Sequence, residues 1–335
     1  MQPDDVVKLI YQSVFGGGHM ISSPDEALDR IRAEYASGAH KDGSICAESL
    51  GDTARLYLDT EFTPVQLDII AKIFCASAKR YSRGYSSATE KEKSLFNERI
   101  FAAERLCEEG GFAFDTEAFG KYLSDYRNRG CPAISHSEVY RSEYRPSYRV
   151  IDGKYVRLLD CIFAVGELIG GGKTVVLAID GRAASGKTTA AELIAEVFDA
   201  SVIHMDDFFL PRELRTPERL SEVGGNIHYE RFLSEVIPNL RTGTTFYHRV
   251  FDCSRFDYAD EPGMVKPASL IICEGSYAFH PHFGKYYDIG YFSDVDPETQ
   301  RARILERNGE SMLARFVNEW IPMEERYFAA LDKSG

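Results

Sequence analysis

The sequence has no Cys-X-X-Cys pair, no apolar run long enough to span a bilayer and no surplus of positive charge. Each absence removes a class of protein. Cys46, Cys75, Cys107, Cys131, Cys161, Cys253 and Cys273 are odd in number and irregularly spaced, which argues against a disulfide scaffold or zinc ribbon and fits a reducing cytosol. Acidic residues stand in MQPDDVVKLIYQ where a signal peptide carries basic ones, so the chain is expected to be soluble and cytoplasmic, with no membrane partner. Acidic residues outnumber basic ones 52 to 39, a formal net charge of −13, so a nucleic-acid surface is not expected as the main function. What remains is ordinary globular composition, 44% hydrophobic and 27% charged, over 335 residues, enough for two domains that each have a core.

Residues 4–15 place Val6, Val7, Ile10, Tyr11 and Val14 on one helical face behind Asp4 and Asp5, which suit the positive start of a helix. Gly16-Gly17-Gly18-His19 follows; it reads as a helix stop, or as small residues that let a ligand approach with His19 beside it. Ser23-Pro24 and Thr63-Pro64 each combine an N-cap with a proline at the first helical position, the second helix running to about Lys79. Residues 89–109 and 115–129 also carry apolar stripes, and Ala54–Leu58 alternates like a strand. Residues 1–150 are therefore expected to form a mainly α-helical N-terminal domain.

Between 131 and 157 the character changes. Tyr140, Tyr144, Tyr148 and Tyr155 interleave with Arg141, Arg145, Arg149 and Arg157, a mixture that can stack bases or grip phosphate, or cover an interdomain seam. Asp152-Gly153 predicts a hairpin between Tyr148–Ile151 and Lys154–Leu158, within a connecting segment 151–173. Gly170-Gly171-Gly172 is a flexible break before the second domain, 174–335.

That second domain opens with its most informative stretch. Val175–Ile179 is an apolar, β-branched run suited to a strand buried on both faces. Gly181-Arg182-Ala183-Ala184-Ser185-Gly186-Lys187-Thr188 then satisfies G-x-x-x-x-G-K-[ST] at every fixed position, and Leu193, Ile194, Val197 and Phe198 recur at helical spacing after it. In such a loop successive backbone N–H groups turn inward round a phosphate, and the following helix adds the positive end of its dipole. The plain alternative is a glycine-rich turn between strand and helix. The expected nucleotide-binding residues are Gly181, Ala183, Ala184, Ser185, Gly186, Lys187, Thr188 and Thr189. Lys187 would reach the β- and γ-phosphates and Thr188 would be a Mg²⁺ ligand, so ATP and Mg²⁺ are the expected cofactors.

Ser201–Met205, Leu270–Cys273 and Ile289–Phe292 read as further buried strands. Residues just past the C-terminal ends of parallel strands face the ligand crevice. Asp206 and Asp207 arrive there from one strand and Glu274 from another, candidates for a base toward a hydroxyl and for a partner of Mg²⁺. If strand geometry continues past Met205, successive side chains alternate and one of the two aspartates points inward. A helix from Pro297 carries Arg301, Arg303 and Arg307, which either clamp a transferring phosphoryl group or form a solvated face with Glu306 and Glu310.

The segments GRAASGKTT, HMDDFF, HYERFLSEVIPNLRTG with the FD of RVFDCS, LIICEGSY and DVDPETQRARILERN keep a definite order and spacing across about residues 174–328. Together they resemble the uridine kinase/phosphoribulokinase family of P-loop kinases. The resemblance implies an α/β, P-loop kinase-like fold with a doubly wound parallel sheet; residues 1–150 lie outside it. It implies phosphoryl transfer from ATP to a hydroxyl of a small molecule, a nucleoside foremost. Asp206 would be the catalytic base, Lys187, Arg303 and Arg307 the charge-stabilising groups, and Glu274 the acidic residue beside the metal. Asp207, Asn226, Phe251 and Asp252 would line the acceptor. The family's acceptor Tyr is Phe251 here, and its following His and Arg fall near Phe256 and Tyr258, so the pocket lacks donors that would hold uracil in the usual way. The rival function is an ATP-binding metabolite sensor or switch with little kinase activity, and a homo-oligomer is left open. The family usually adds one more apolar strand after the arginine segment. No such run follows Phe328, so the hairpin of 148–158 is expected to pack at or near the open sheet edge.

Overall fold

Residues 1–18, 23–38, 45–81 and 84–331 are described by a computed structural model, and the chain divides between Asp160 and Cys161 into two units. In the first, helices form where their caps dictate. Helix α1 (Pro3–Phe15) ends at Gly16, φ 64, where a side chain would meet Tyr81 Cβ at 2.9 Å, so the glycine run is a helix stop. His19 lies outside the described residues. Helix α2 (Pro24–Ser37) is capped by Ser23, and α3 (Pro64–Arg80) and α4 (Glu90–Glu108) by reciprocal boxes of Thr63 with Gln66 and Thr89 with Glu92. Helices α5 (Thr116–Asn128) and α6 (Glu138–Tyr144) follow in this unit. Val7, Tyr11 and Phe15 of α1 share one core with Phe96 and Ile100 of α4 and Phe119 and Leu123 of α5.

A small antiparallel sheet, β1 (Ala47–Ser49), β2 (Thr53–Tyr57) and β3 (Tyr148–Asp152), belongs to the same unit, with Thr53 opposite Asp152 and Tyr57 opposite Tyr148. The expected hairpin of 148–158 is thereby corrected. Its first arm pairs with β2, and Gly153–Leu158 is a 3₁₀ helix. The cause is local: Asp152 accepts from the Lys154 N–H (2.9 Å) and from Arg80 Nη1 (2.6 Å), turning the chain. Tyr155 and Leu158, three apart, are then both fully buried. Several tyrosines and arginines of this region pack or pair within the first unit. Tyr140 stacks on His136 with ring centroids 4.2 Å apart, Tyr148 donates to Gln12 Oε1 (3.0 Å), and buried Arg149 reaches Glu34 Oε2 (2.8 Å).

Helix α7 (Leu159–Gly170) leads into the second unit. There follow β4 (Val175–Gly181), α8 (Lys187–Val197), β5 (Ala200–His204), α9 (Pro217–Ser221) and α10 (Tyr229–Arg231), the last prolonged by a π turn to Val236. Next come β6 (Phe246–His248), β7 (Phe251–Asp252), β8 (Asp257–Tyr258), β9 (Gly263–Val265), β10 (Leu270–Glu274) and β11 (Ile289–Ser293). Helix α11 (Pro297–Arg315) kinks at Gly309, φ 78, and α12 (Ile321–Leu331) closes the described chain. Strands β11-β4-β10-β5 form, in that order, a parallel sheet. Val176, Ala178, Ile203, Ile271 and Cys273 pack on one face with Phe232, Val236 and Tyr327. The alternate residues Val175, Leu177, Ile179 and Ile272 are equally buried, so the other face is covered too, as a doubly wound α/β sheet requires. The sheet edges are β11 and β5; no fifth strand lies in this sheet among the described residues. Beside β11, Phe328 of α12 sets its ring edge-on to Phe292, centroids 5.2 Å apart. Among the described residues no helix is long and apolar enough to cross a membrane.

Candidate active site

Parallel pairing brings three strand ends to one edge. Glu274 stands opposite Ile179 of β4 and opposite His204 of β5, so the loop after β4, the turn after β5 and Glu274 itself open together. Gly181 leaves β4 at φ 141, and a Cβ there would fall 1.9 Å from the Ser293 carbonyl oxygen, so both backbone and neighbour demand glycine. Ala184 (φ 57) and Gly186 (φ 96) then turn the chain into α8. Lys187 Nζ donates to the carbonyls of Gly181 and Arg182, each at 2.8 Å, and lies 3.3 Å from Ser276 Oγ.

Asp180 underpins this loop. It is wholly buried and accepts from the N–H groups of Gly181 (2.6 Å), Tyr277 (3.1 Å) and Phe279 (2.8 Å) and from the Tyr327 hydroxyl (2.5 Å). Burial raises its carboxyl against the pull of those donors. One side chain thus ties the loop, the segment after β10 and α12 together. Sequence reasoning passed it by, although a lone acidic residue closing an apolar run was a visible signal.

Thr188 Oγ1 donates toward Glu274 Oε1 (3.2 Å) and Oε2 (3.3 Å), and His204 Nδ1 lies 2.6 Å from Oε1. That last bond raises the His204 pKa above its ordinary value, against the effect of burial. A hydroxyl and a carboxylate are hard oxygen donors that fit Mg²⁺, an ion that keeps waters and takes further ligands from phosphates. Among the described residues no group of three or more His, Cys, Asp or Glu is gathered for a metal.

The two aspartates are separated by a cause other than strand alternation. Met205–Phe208 is a 3₁₀ turn, so the strand does not continue into them, which corrects that expectation. Asp207 Oδ2 is engaged by the buried His248 Nε2 at 2.8 Å. Asp206 is reached by solvent, yet protein crowding its carboxyl, then the charges of Glu274 and Asp207, hold it above the usual carboxylate range, with Lys187 opposing.

Around the expected acceptor side, Phe251 is buried and sets its ring edge-on to Phe256 (5.7 Å) and Phe209 (6.2 Å). Asp252 Oδ1 accepts from Ser254 Oγ (2.6 Å) and the Ser254 N–H (2.8 Å), so it caps its own turn, and these bonds hold its pKa below the ordinary value. Asn226 is buried, and its Oδ1 has no hydrogen-bond partner among the described residues. Of the three helix arginines Arg303 touches the loop, donating to the Ala184 carbonyl (3.1 Å); Arg307 donates to Asn308 Oδ1 (2.8 Å) and Arg301 is exposed. Gln300, unnoticed in the sequence, is buried and donates to the Ala183 carbonyl (3.0 Å).

An ion-pair knot fixes this side. Arg231, 2% exposed, donates to the Asp207 carbonyl (3.0 Å) and to Glu235, which also accepts from the Arg249 N–H (3.0 Å) and Nη2 (2.8 Å). Burial pushes the Glu235 carboxyl up, but the bonds from Arg231 and Arg249 outweigh it and bring it down to about 2. A depressed carboxylate contributes stability above its unfolded-state pKa and loses it as pH falls through the folded value. Glu235→Gln should therefore lower stability by about 2 kcal/mol at neutral pH. Its deficit should shrink as the pH is lowered from the ordinary 4.5 toward about 2. Urea unfolding of both proteins at neutral and acid pH measures this, and a deficit independent of pH would refute it.

No protein-family model and no curated protein matches the sequence. Solved structures do. A protein described as a "putative fructose transport system kinase", from a Silicibacter strain, is 20% identical, with 49% of this chain and 94% of that one covered at a TM-score of 0.42. A "possible uridine kinase" from Bacillus stearothermophilus is 18% identical, with 48% and 94% covered at a TM-score of 0.34. In this chain, strand order, P loop and flanking helices together make an α/β, P-loop kinase-like fold.

Proposed function

We propose that the second unit binds ATP with Mg²⁺ and transfers the terminal phosphoryl group to a hydroxyl of a small molecule. The observation that supports this most is the convergence of Lys187, Thr188, Glu274 and the Asp206 turn at one edge of the parallel sheet. The loop amides and Lys187 take the phosphates, and Arg303, joined by Arg307, faces the transferring group. Thr188 and Glu274 would hold Mg²⁺, which would neutralise charge on the phosphates. Asp206 accepts the proton of the acceptor hydroxyl as its oxygen forms the new bond to phosphorus and the bond to ADP breaks. Catalysis in this scheme is positioning plus charge stabilisation.

A nucleoside is the favoured acceptor, on the motif resemblance and on the aromatic cluster of Phe209, Phe251 and Phe256 beside the Asp206 turn. Cysteines free of disulfides are in keeping with a cytoplasmic setting. The test is a screen of nucleosides, sugars and vitamins for acceptor-dependent ADP release. Release driven by a nucleoside supports the full reading, and release driven by another class keeps the reaction and replaces the acceptor. Nucleotide binding with little ADP release, whatever is offered, would instead establish the sensor.

A further inference from the structure

The P loop already holds an anion of the chain's own. Helix α12 carries Glu324, 5% exposed, whose Oε2 accepts from the Ala183 N–H (3.0 Å) and whose Oε1 accepts from Ser276 Oγ (2.8 Å). Ser276 Oγ is itself 3.3 Å from Lys187 Nζ, so the carboxylate stands at the lysine end of the loop. In a P loop that lysine serves the β- and γ-phosphates.

Neighbouring contacts fasten Glu324 there. Glu325 pairs with Arg182 of the loop, and the Arg182 guanidinium also lies 2.9 Å from Asp294 Oδ1 and 5.3 Å from the centre of the Phe328 ring. Tyr327 donates to Asp180 at 2.5 Å. The turn 324–328 is thus tied to Asp180 and Arg182 as well as to Ala183, and the carboxylate is held in place by more than its own two bonds.

We propose that Glu324 fills the terminal-phosphate subsite and thereby sets the nucleotide preference of the loop. The proposal rests on the reading of the loop as an ATP site. A triphosphate must displace the carboxylate from Ala183 and Ser276, whereas a diphosphate can occupy the amides nearer the start of α8 with Glu324 in place. Two anions on one N–H beside one lysine repel strongly where water is scarce, and that repulsion falls on the terminal phosphate alone. The protein should accordingly hold a diphosphate more tightly, relative to a triphosphate, than the loop would without Glu324.

Calorimetric titrations of the full chain with the magnesium complexes of ADP and of the non-hydrolysable triphosphate AMP-PNP test this, using wild type, Glu324→Gln and Glu324→Ala. Loss of the charge should tighten triphosphate binding by roughly tenfold or more while diphosphate binding stays within about twofold. Glutamine keeps the volume and a hydrogen-bonding head, so it carries the test if alanine impairs folding, which thermal denaturation reports. Unchanged or weaker triphosphate binding in Glu324→Gln, or equal tightening of both nucleotides, would overturn the assignment and leave the ATP site standing. Failure of wild type and variants to bind either nucleotide would overturn the assignment together with the ATP reading.

Discussion

Lys187→Ala is expected to lower the rate of ATP-dependent phosphoryl transfer by about three powers of ten or more. The Lys187 ammonium is held at the loop by the carbonyls of Gly181 and Arg182 at 2.8 Å, with Ser276 Oγ at 3.3 Å, so its charge is in place before any phosphate arrives. A charge placed in advance costs no reorganisation as negative charge grows on the transferring group, which is why its removal should weigh on turnover more than on binding. ATP affinity should fall by less, because the backbone amides of the loop remain. Steady-state kinetics with a calorimetric measurement of affinity separates the two effects. Full activity in the variant would sink the kinase reading, and a loss confined to affinity would reduce the lysine to a binding group.

Much of the second unit was legible because its signals are local. The apolar run before Gly181 became β4, and the glycines, lysine and threonine of the loop lie where their spacing put them. The runs at 201–205, 270–273 and 289–292 became β5, β10 and β11 to within a residue or two. What stayed hidden depends on residues far apart in the chain. Strand β3 reads as half of a hairpin until β2, almost a hundred residues earlier, offers it a register. Glu324 looks like one more surface glutamate of an amphipathic helix, and nothing near it in sequence announces Ala183 or Ser276. His248 likewise sits in a short strand with no motif, and only folding sets it against Asp207. Asp252 shows the converse: the resemblance proposes it for the acceptor pocket and says nothing of Ser254, whose N–H and hydroxyl donate to its Oδ1.

Asp206→Asn should cut turnover by about two to four powers of ten while Mg²⁺-ATP binding persists, the loss general-base removal produces. Asp207→Asn should be milder. The ranking follows from what each carboxylate touches: Asp207 is committed to His248 at 2.8 Å, while Asp206 is reached by solvent at the sheet edge where an acceptor hydroxyl would enter. Asparagine at 207 retains a carbonyl oxygen that can still meet His248, and the Asp207 backbone stays anchored by Arg231 at 3.0 Å. The pH dependence gives a second, independent reading. Crowding and the nearby charges of Glu274 and Asp207 hold Asp206 above the ordinary 3.8, and a base works only when ionised. The wild-type rate should therefore fall, as pH is lowered, through an apparent pKa above 3.8, and Asp206→Asn should abolish that limb where Asp207→Asn keeps it. Equal losses in the two variants, or an acid limb that survives in Asp206→Asn, would move the base to another residue.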